Sequence, residues 1–295
     1  MLLTATALAA GLALAGYTGL AGAVARRFTS PRRVAPVGTG MPAGAREVQF
    51  AARDGQARIA AWYLPATGVA STRGAVILVH GKDGCRGDVL KVHAGALVQG
   101  LTDSGLAVLM IDLRGHGQSS AARLTYGQHE RFDVLGAVDW LQRQGHGPIG
   151  VLGASMGAAS SLLAAADEPA IRALVADSAF ADFGQMIQRQ YRKLSHLPGF
   201  VLPGALAIGR LLTGVALQRV RPLDAAARMA GRPCLLIHSE GDRFIPAVDA
   251  QRLAAAAGGD LWITPTQGHI GSYRAEPAAY TERVLGFFAQ HLRAA

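Results

Sequence analysis

The stretch Pro148-Ile149-Gly150-Val151-Leu152-Gly153-Ala154-Ser155-Met156-Gly157 decides how this chain is read. A short apolar segment runs into a G-x-S-x-G pentapeptide and then into alanine-rich residues 158–166, whose pattern is helical. A serine on a sharp strand-to-helix turn has its hydroxyl lifted off the sheet and set beside the positive end of a helix. Glycines flank it because a Cβ at either position would collide with closely packed backbone. The pentapeptide alone also describes a glycine-rich bend with an incidental serine. Its strand–turn–helix setting gives it weight.

A serine hydroxyl needs a base, and the base needs an orienting group. Both lie downstream. The apolar run 233–238 leads into Ser239-Glu240-Gly241-Asp242-Arg243-Phe244-Ile245-Pro246, which places Asp242 in the loop after a strand. Residues 260–264 form another strand, and Gln267-Gly268-His269 follow it. Ser155, Asp242 and His269 thus each come just after a strand, at the carboxyl edge of a parallel sheet, where open α/β folds place their sites. Asp177, after the strand 171–176, is a competing acid on the same edge. Glu240 reads as a solvated loop residue, His238 as a strand core residue, and His80 and His116 as structural residues of tight turns. His93 and His129 stand near the same edge as accessory candidates.

An oxyanion hole draws one amide from the residue after the nucleophile and one from the loop after an earlier strand. The first is Met156. The second is the backbone N–H of Lys82, in the turn His80-Gly81-Lys82-Asp83-Gly84 after the strand 74–79, with the Lys82 side chain left to solvent.

With these residues in place the chain resembles the α/β-hydrolase-fold serine hydrolases. Val79-His80-Gly81, Asp112-Leu113-Arg114-Gly115-His116-Gly117-Gln118-Ser119, Gly153-Ala154-Ser155-Met156-Gly157, Gly241-Asp242-Arg243-Phe244-Ile245-Pro246 and Gly268-His269 stand in that family's order, across roughly residues 45–292. The resemblance implies a mostly parallel eight-stranded sheet with helices on both faces, a helical lid insertion, and a Ser155–Asp242–His269 triad working without a cofactor. The Asp177-Ser178-Ala179-Phe180 stretch and the basic N-terminal segment look most like the membrane-associated acyl hydrolases grouped with serine aminopeptidases and monoacylglycerol lipases. Lys82-Asp83 departs from the small, apolar or amide residues that many relatives carry in the oxyanion loop.

The rest of the sequence bounds the reading. At 295 residues the chain suits one α/β domain. Two cysteines make no disulfide framework; Cys234 reads as core and Cys85 as an exposed loop thiol. No zinc spacing, phosphate loop or dinucleotide fingerprint is present, so neither metal nor cofactor is expected. The net charge of +9 points to an acidic partner. Without a nucleic-acid motif or a dense basic run with interleaved aromatics, an anionic membrane surface fits better than nucleic acid. Nothing in the sequence specifies an oligomeric state.

Residues 1–25 carry no charged side chain and are long enough to span a bilayer. Arg26-Arg27 and Arg32-Arg33 follow. The arginines favour an uncleaved anchor with the catalytic domain in the cytoplasm; the alternative is cleavage after Ala21-Gly22-Ala23 and a secreted or periplasmic enzyme. Residues 26–45 then form a Pro/Gly-rich tether, and residues 46–295 the catalytic domain. Within it, strands 46–51 and 57–64 form a hairpin at Asp54-Gly55, 106–111 is a strand, and 88–103, 130–144 and 281–292 are helices. Phe132, Leu135, Val138 and Leu141 share one helix face. The interval 181–228 holds the lid. Pro198 and Pro203 keep its apolar run 197–208 from being one helix, and it is expected to line an acyl pocket and touch the membrane.

The expected activity is hydrolysis of a small-molecule carboxylic ester with a medium-chain or lipid-like acyl group, through an acyl-enzyme. A peptidase or thioesterase uses the same residues. A catalytically inactive, membrane-tethered scaffold is the reading from another class.

Overall fold

The computed structural model describes residues 2–34, 40–67, 74–92 and 94–292. Eight strands form one sheet: β1 (Arg46–Ala51), β2 (Arg58–Leu64), β3 (Gly74–Val79), β4 (Leu106–Ile111), β5 (Ile149–Ala154), β6 (Ile171–Asp177), β7 (Cys234–Gly241) and β8 (Asp260–Gln267), in the order β1-β2-β4-β3-β5-β6-β7-β8. The β1–β2 hairpin and the β2–β4 pair are antiparallel; every pairing from β4 to β8 is parallel. Composition explains the difference. The runs Gly-Ala-Val-Ile-Leu-Val in β3, Leu-Ala-Val-Leu-Met-Ile in β4 and Ile-Gly-Val-Leu-Gly-Ala in β5 are apolar throughout and buried throughout. Strands covered on both faces need no polar alternation. The exposed edge strand β1 keeps Arg46, Glu47 and Gln49.

Helices cover both faces. On one side α2 (Gly95–Asp103), α9 (Ser272–Ala275) and α10 (Pro277–His291) pack Leu97, Tyr273, Tyr280, Val284 and Phe288 onto the sheet. On the other lie α3 (Arg131–Arg143), α4 (Met156–Asp167), α7 (Pro222–Arg228) and α8 (Val248–Ala257), with core contributions from Leu135, Val138, Leu162 and Leu253. Phe132 is partly buried against the same core. A buried guanidinium ties the hairpin to α3: Arg114 donates to Asp54 at 2.9 and 3.0 Å and to Asp133 at 2.8 Å.

The helix expected over 88–103 begins only at Gly95. Upstream, the Asp88 carboxylate accepts the Cys85 N–H at 2.7 Å and Lys91 takes a left-handed backbone (φ +60°). A side chain that caps its own turn competes with helix propagation. The same turn carries Cys85 inward, so its thiol is fully buried, not exposed as its loop position had implied.

Between β6 and β7, residues 181–228 are helical, with α5 (Phe183–Ser195), α6 (Val201–Thr213), a short turn at Leu217–Arg219, and α7. The chain breaks at His196, which closes α5 in a left-handed conformation, and at Pro198. Pro203 breaks nothing. It is the third residue of α6, within the first turn, where a missing N–H costs no intrahelical bond.

The N-terminal helix α1 spans Leu2–Thr29, so four residues after the uncharged run remain helical. Ala21, Val24, Ala25 and Thr29 lie at helical spacing and are buried against the domain, and Tyr17 stacks on Phe200 beside α6. The end of α1 and the residues just after it are pinned. Leu124 N–H donates to Thr29 O at 2.8 Å and the Tyr126 hydroxyl to Phe28 O at 2.7 Å. Arg32 N–H donates to an Asp83 carboxylate oxygen at 2.8 Å.

Candidate active site

Ser155 sits at the turn from β5 into α4 with φ +53° and ψ −116°. A side chain held in this region stores roughly 1–3 kcal/mol of strain, and the surrounding packing enforces it. Ser155 N–H donates to Asp177 O at 2.8 Å, and Ser155 O accepts from Ala159 N–H at 3.0 Å. The flanking glycines leave no room for a side chain. A Cβ on Gly153 would lie 2.6 Å from Gly157 O, and one on Gly157 would press into the carbonyl oxygens of Val79 and His80. The Ser155 side chain reaches a cleft of about 420 Å3, shared with Gly81, Lys82, Lys91, Phe244 and His269.

Three chain-distant residues meet there. His269 Nε2 is 2.7 Å from Ser155 Oγ, and His269 Nδ1 is 2.7 Å from Asp242 Oδ2. A carboxylate facing Nδ1 requires a proton there and leaves Nε2 with a lone pair aimed at the serine. Asp242 is fixed in turn by the Phe244 and Ile245 N–H groups, which donate to Oδ1 at 2.8 and 3.0 Å. Burial alone would raise its pKa; hydrogen bonds from His238 and His269 outweigh it and hold the carboxyl well below the usual carboxylate range. Asp177 is otherwise engaged. It is buried and accepts from the Ser178 and Tyr280 hydroxyls at 2.8 and 3.0 Å, and burial pushes its carboxyl pKa up.

Met156 is the first residue of α4, so its N–H belongs to the four amides at the helix start that have no intrahelical acceptor. Lys82 faces Ser155 across the cleft, next to Gly81. Its ammonium pairs with Asp83, and Asp83 N–H donates to His116 Nε2 at 3.1 Å. His116 is buried and lies against His80; burial, with the neighbouring His80 adding to it, pushes its pKa down to about 3, so it stays a neutral acceptor. His80 accepts the Leu113 N–H at 3.1 Å. Both histidines therefore hold the turn 80–84 in shape. Asp112 accepts the Arg86 and Gln118 N–H groups at 2.7 and 2.9 Å.

His238 is buried in β7, and its Nε2–H donates to Ile245 O at 2.8 Å. It also stands 3.4 Å from Asp242 Oδ2. Burial lowers its pKa, but the carboxylate more than compensates and raises it. A strand-core reading of His238 misses this contact with the acid. His129 donates its backbone N–H to the Thr125 hydroxyl, accepts the Phe132 N–H, and is not among the cleft residues; Glu240 is exposed on β7; His93 lies outside the described residues. Two cleft residues were not legible in the sequence. Lys91 reaches His269 O with its Nζ at 3.4 Å, and the Phe244 ring packs 5.1 Å from the His269 ring.

A glycine-flanked serine at a strand–helix turn, opposed by an Asp-oriented histidine on this sheet, defines the α/β-hydrolase class. Residues 70–219, half of the chain, match the family model described as serine aminopeptidase, S33, and the chain belongs to that family. An uncharacterized Bacillus subtilis protein, YqkD, is 33% identical over 63% of this chain; the match spans 63% of that relative's length, a little under two thirds. Among solved structures, a Pyrococcus furiosus esterase superposes with a TM-score of 0.73 at 22% identity, covering 90% of this chain and 98% of the esterase. Est1E from Butyrivibrio proteoclasticus, solved with ferulic acid, gives 0.64 at 21% identity, over 83% of this chain and 99% of its own. At these identities the likeness shows the fold.

Proposed function

We propose that this chain is a membrane-anchored serine hydrolase that cleaves carboxylic esters with a medium-chain or lipid-like acyl group. The observation that carries the reading is the continuous Ser155–His269–Asp242 array, with both hydrogen bonds at 2.7 Å. His269 takes the serine proton as Oγ attacks the acyl carbonyl, and later delivers it to the leaving oxygen. Asp242 keeps the tautomer and stabilises the imidazolium. The amides of Met156 and Lys82 receive the oxyanion, each donor being worth about 3–4 kcal/mol in the transition state. Water then attacks the acyl-enzyme by the same route in reverse.

The family's description raises an aminopeptidase as the rival. Such an enzyme needs a free carboxylate to hold the substrate's α-ammonium group. Of the two cleft carboxylates, Asp83 is paired with the Lys82 ammonium and accepts the Arg32 N–H, and Asp88 caps its own turn by accepting the Cys85 N–H. An ester makes no demand on either, which supports the ester reading.

Among the described residues, α1 is the one helix long and apolar enough by itself to cross a membrane. It supplies the anchor, and Arg26 and Arg27 in its last turn favour the cytoplasmic side for the domain. The test is turnover of p-nitrophenyl esters from acetate to palmitate by the full chain in lipid nanodiscs, with Ser155→Ala as control. Ser155-dependent turnover is expected. Equal activity in Ser155→Ala refutes the mechanism, and faster Ser155-dependent cleavage of aminoacyl amides than of any ester moves the assignment to a peptidase.

A further inference from the structure

Beside the cleft at Ser155 lies a second cavity, of about 300 Å3. Its lining is mostly apolar: Phe28 from the last turn of α1, Tyr126, and Phe183, Met186 and Ile187 from α5. Lys82, Asp83 and Phe244 line both spaces, so the two adjoin across one thin partition. Phe244 also packs on His269, which places that partition at the reacting atoms. The α1 wall is preformed. Its backbone is held by the Tyr126 hydroxyl on Phe28 O and by the Arg32 N–H on Asp83, the neighbour of the oxyanion residue Lys82. Arg27 and Arg32 bring positive charge to the cavity, and Leu194, at the far end of α5, is exposed beside it.

We propose that this cavity is the acyl-chain subsite and that the end of the membrane anchor is one of its walls. The anchor is then part of substrate recognition. This deepens the serine-hydrolase reading and rests on it. The acyl carbon sits at Ser155, the chain passes Phe244 into the second cavity, and the leaving group stays in the larger cleft. About 300 Å3 holds roughly ten methylene-sized groups at about 30 Å3 each. The subsite therefore buries about the first ten carbons of a chain. Longer chains continue past Leu194. Each methylene buried favours the longer chain by about fourfold, until the cavity is full.

The experiment uses the full chain in lipid nanodiscs and measures the rate of Ser155 labelling by alkyl fluorophosphonates from ethyl to hexadecyl. The wild-type rate is expected to rise to about the decyl probe and then level off. Met186→Trp, which fills the cavity, is expected to cut the decyl-to-ethyl ratio at least tenfold. Leu194→Trp at the rim tests the same point from a site that tolerates bulk, should Met186→Trp not fold. Phe28→Ala, which enlarges the cavity, is expected to move the levelling-off to longer probes. A flat wild-type profile, or a ratio unchanged within twofold in every variant that melts cooperatively, overturns the subsite and leaves the Ser155 chemistry standing. Absence of Ser155-dependent labelling by any probe overturns both.

Discussion

Replacing Asp242 by Asn tests the candidate site at its most constrained point. Oδ1 accepts two backbone N–H groups, from Phe244 and Ile245, so the amide oxygen of an asparagine has to occupy that position. The amide NH2 is then forced into the place of Oδ2, facing His269 Nδ1 at 2.7 Å and His238 Nε2 at 3.4 Å. The reverse orientation sets the NH2 against both backbone donors. His269 can avoid a donor–donor clash only by moving its proton from Nδ1 to Nε2. That proton then points at Ser155 Oγ, and the base is lost while all three side chains keep their places.

The expected cost is a kcat loss of about 10^4, the magnitude that a wrong histidine tautomer produces in such an array, or about 5 kcal/mol of barrier. The assay is steady-state ester turnover by wild type, Asp242→Asn and Asp177→Asn, with a melting curve for each. Asp177 makes no hydrogen bond to His269, and its Asn variant is expected to lose less than tenfold. Retention of kcat within tenfold by Asp242→Asn, or a larger loss in Asp177→Asn, would sink the assignment of the acid. The pH dependence has a definite sign. Because the folded-state pKa of Asp242 is depressed, its ionised form contributes stability that is fully present above the unfolded carboxylate value of about 3.9 and is lost as pH falls through the lower folded value. The melting-temperature gap between wild type and Asp242→Asn should close progressively below about pH 4, and also narrow as pH rises through the folded-state value of His238, which the Asp242 carboxylate raises above about 6.5.

Three further outcomes follow from the packing. Gly157→Ala drives a methyl into the Val79 and His80 carbonyls and is expected to cost about 1–3 kcal/mol of stability, read as a lowered denaturation midpoint; an unchanged midpoint would show that the elbow yields. Arg114→Met strands the buried Asp133 carboxylate without its ion pair and should cost about 3–5 kcal/mol, whereas the Arg114→Met/Asp133→Leu double variant recovers part of that loss in the same denaturation assay. Cys85 is buried with its thiol pKa pushed up to about 11, chiefly by burial, so it should resist a thiol-disulfide reagent at pH 8 in the native protein and react at once in denaturant; fast native labelling at Cys85 would contradict its inward turn.

How legible the site is depends on how local its causes are. The elbow is written in five residues because glycine is needed wherever backbone meets backbone, and Gly153 and Gly157 do so within this one turn. Asp242 and His269 follow from position, each at the end of a strand whose apolar run is plain. The sheet is legible for the same reason: β3, β4 and β5 are uninterrupted apolar segments. What stays hidden depends on which way a side chain or a loop turns, which no short motif announces. The partnership of His238 with Asp242 requires the β7 strand to pass under the acid's own loop. The inward turn of Cys85 rests on an Asp88 cap that also stops α2 from starting early. Phe244 reads as a loop aromatic until the fold sets it against His269.

The N-terminal helix shows the same limit and bears most directly on how substrate arrives. A flexible link over residues 26–45 would let the domain wander from the bilayer. Instead, the last turns of α1 are docked through Ala21, Val24, Ala25 and Thr29, while the preceding residues 5–20 are largely exposed. The segment from residue 2 to residue 20 is about 28 Å long at 1.5 Å per residue, close to the roughly 30 Å of a bilayer's hydrocarbon core. On the anchored reading, one helix would span and dock at once, and would set the domain's orientation against the bilayer. Tyr17 of α1 stacks on Phe200 at the start of α6, and Phe200 and Leu211 are exposed at opposite ends of that helix. On that reading, the α6 side faces the lipid, and the second cavity carries Arg27, Arg32 and Leu194 among its exposed lining residues. A lipid-borne ester would then slide from the bilayer, acyl chain first, past Phe28 toward Ser155, and the apolar chain would leave one apolar phase for another without crossing water.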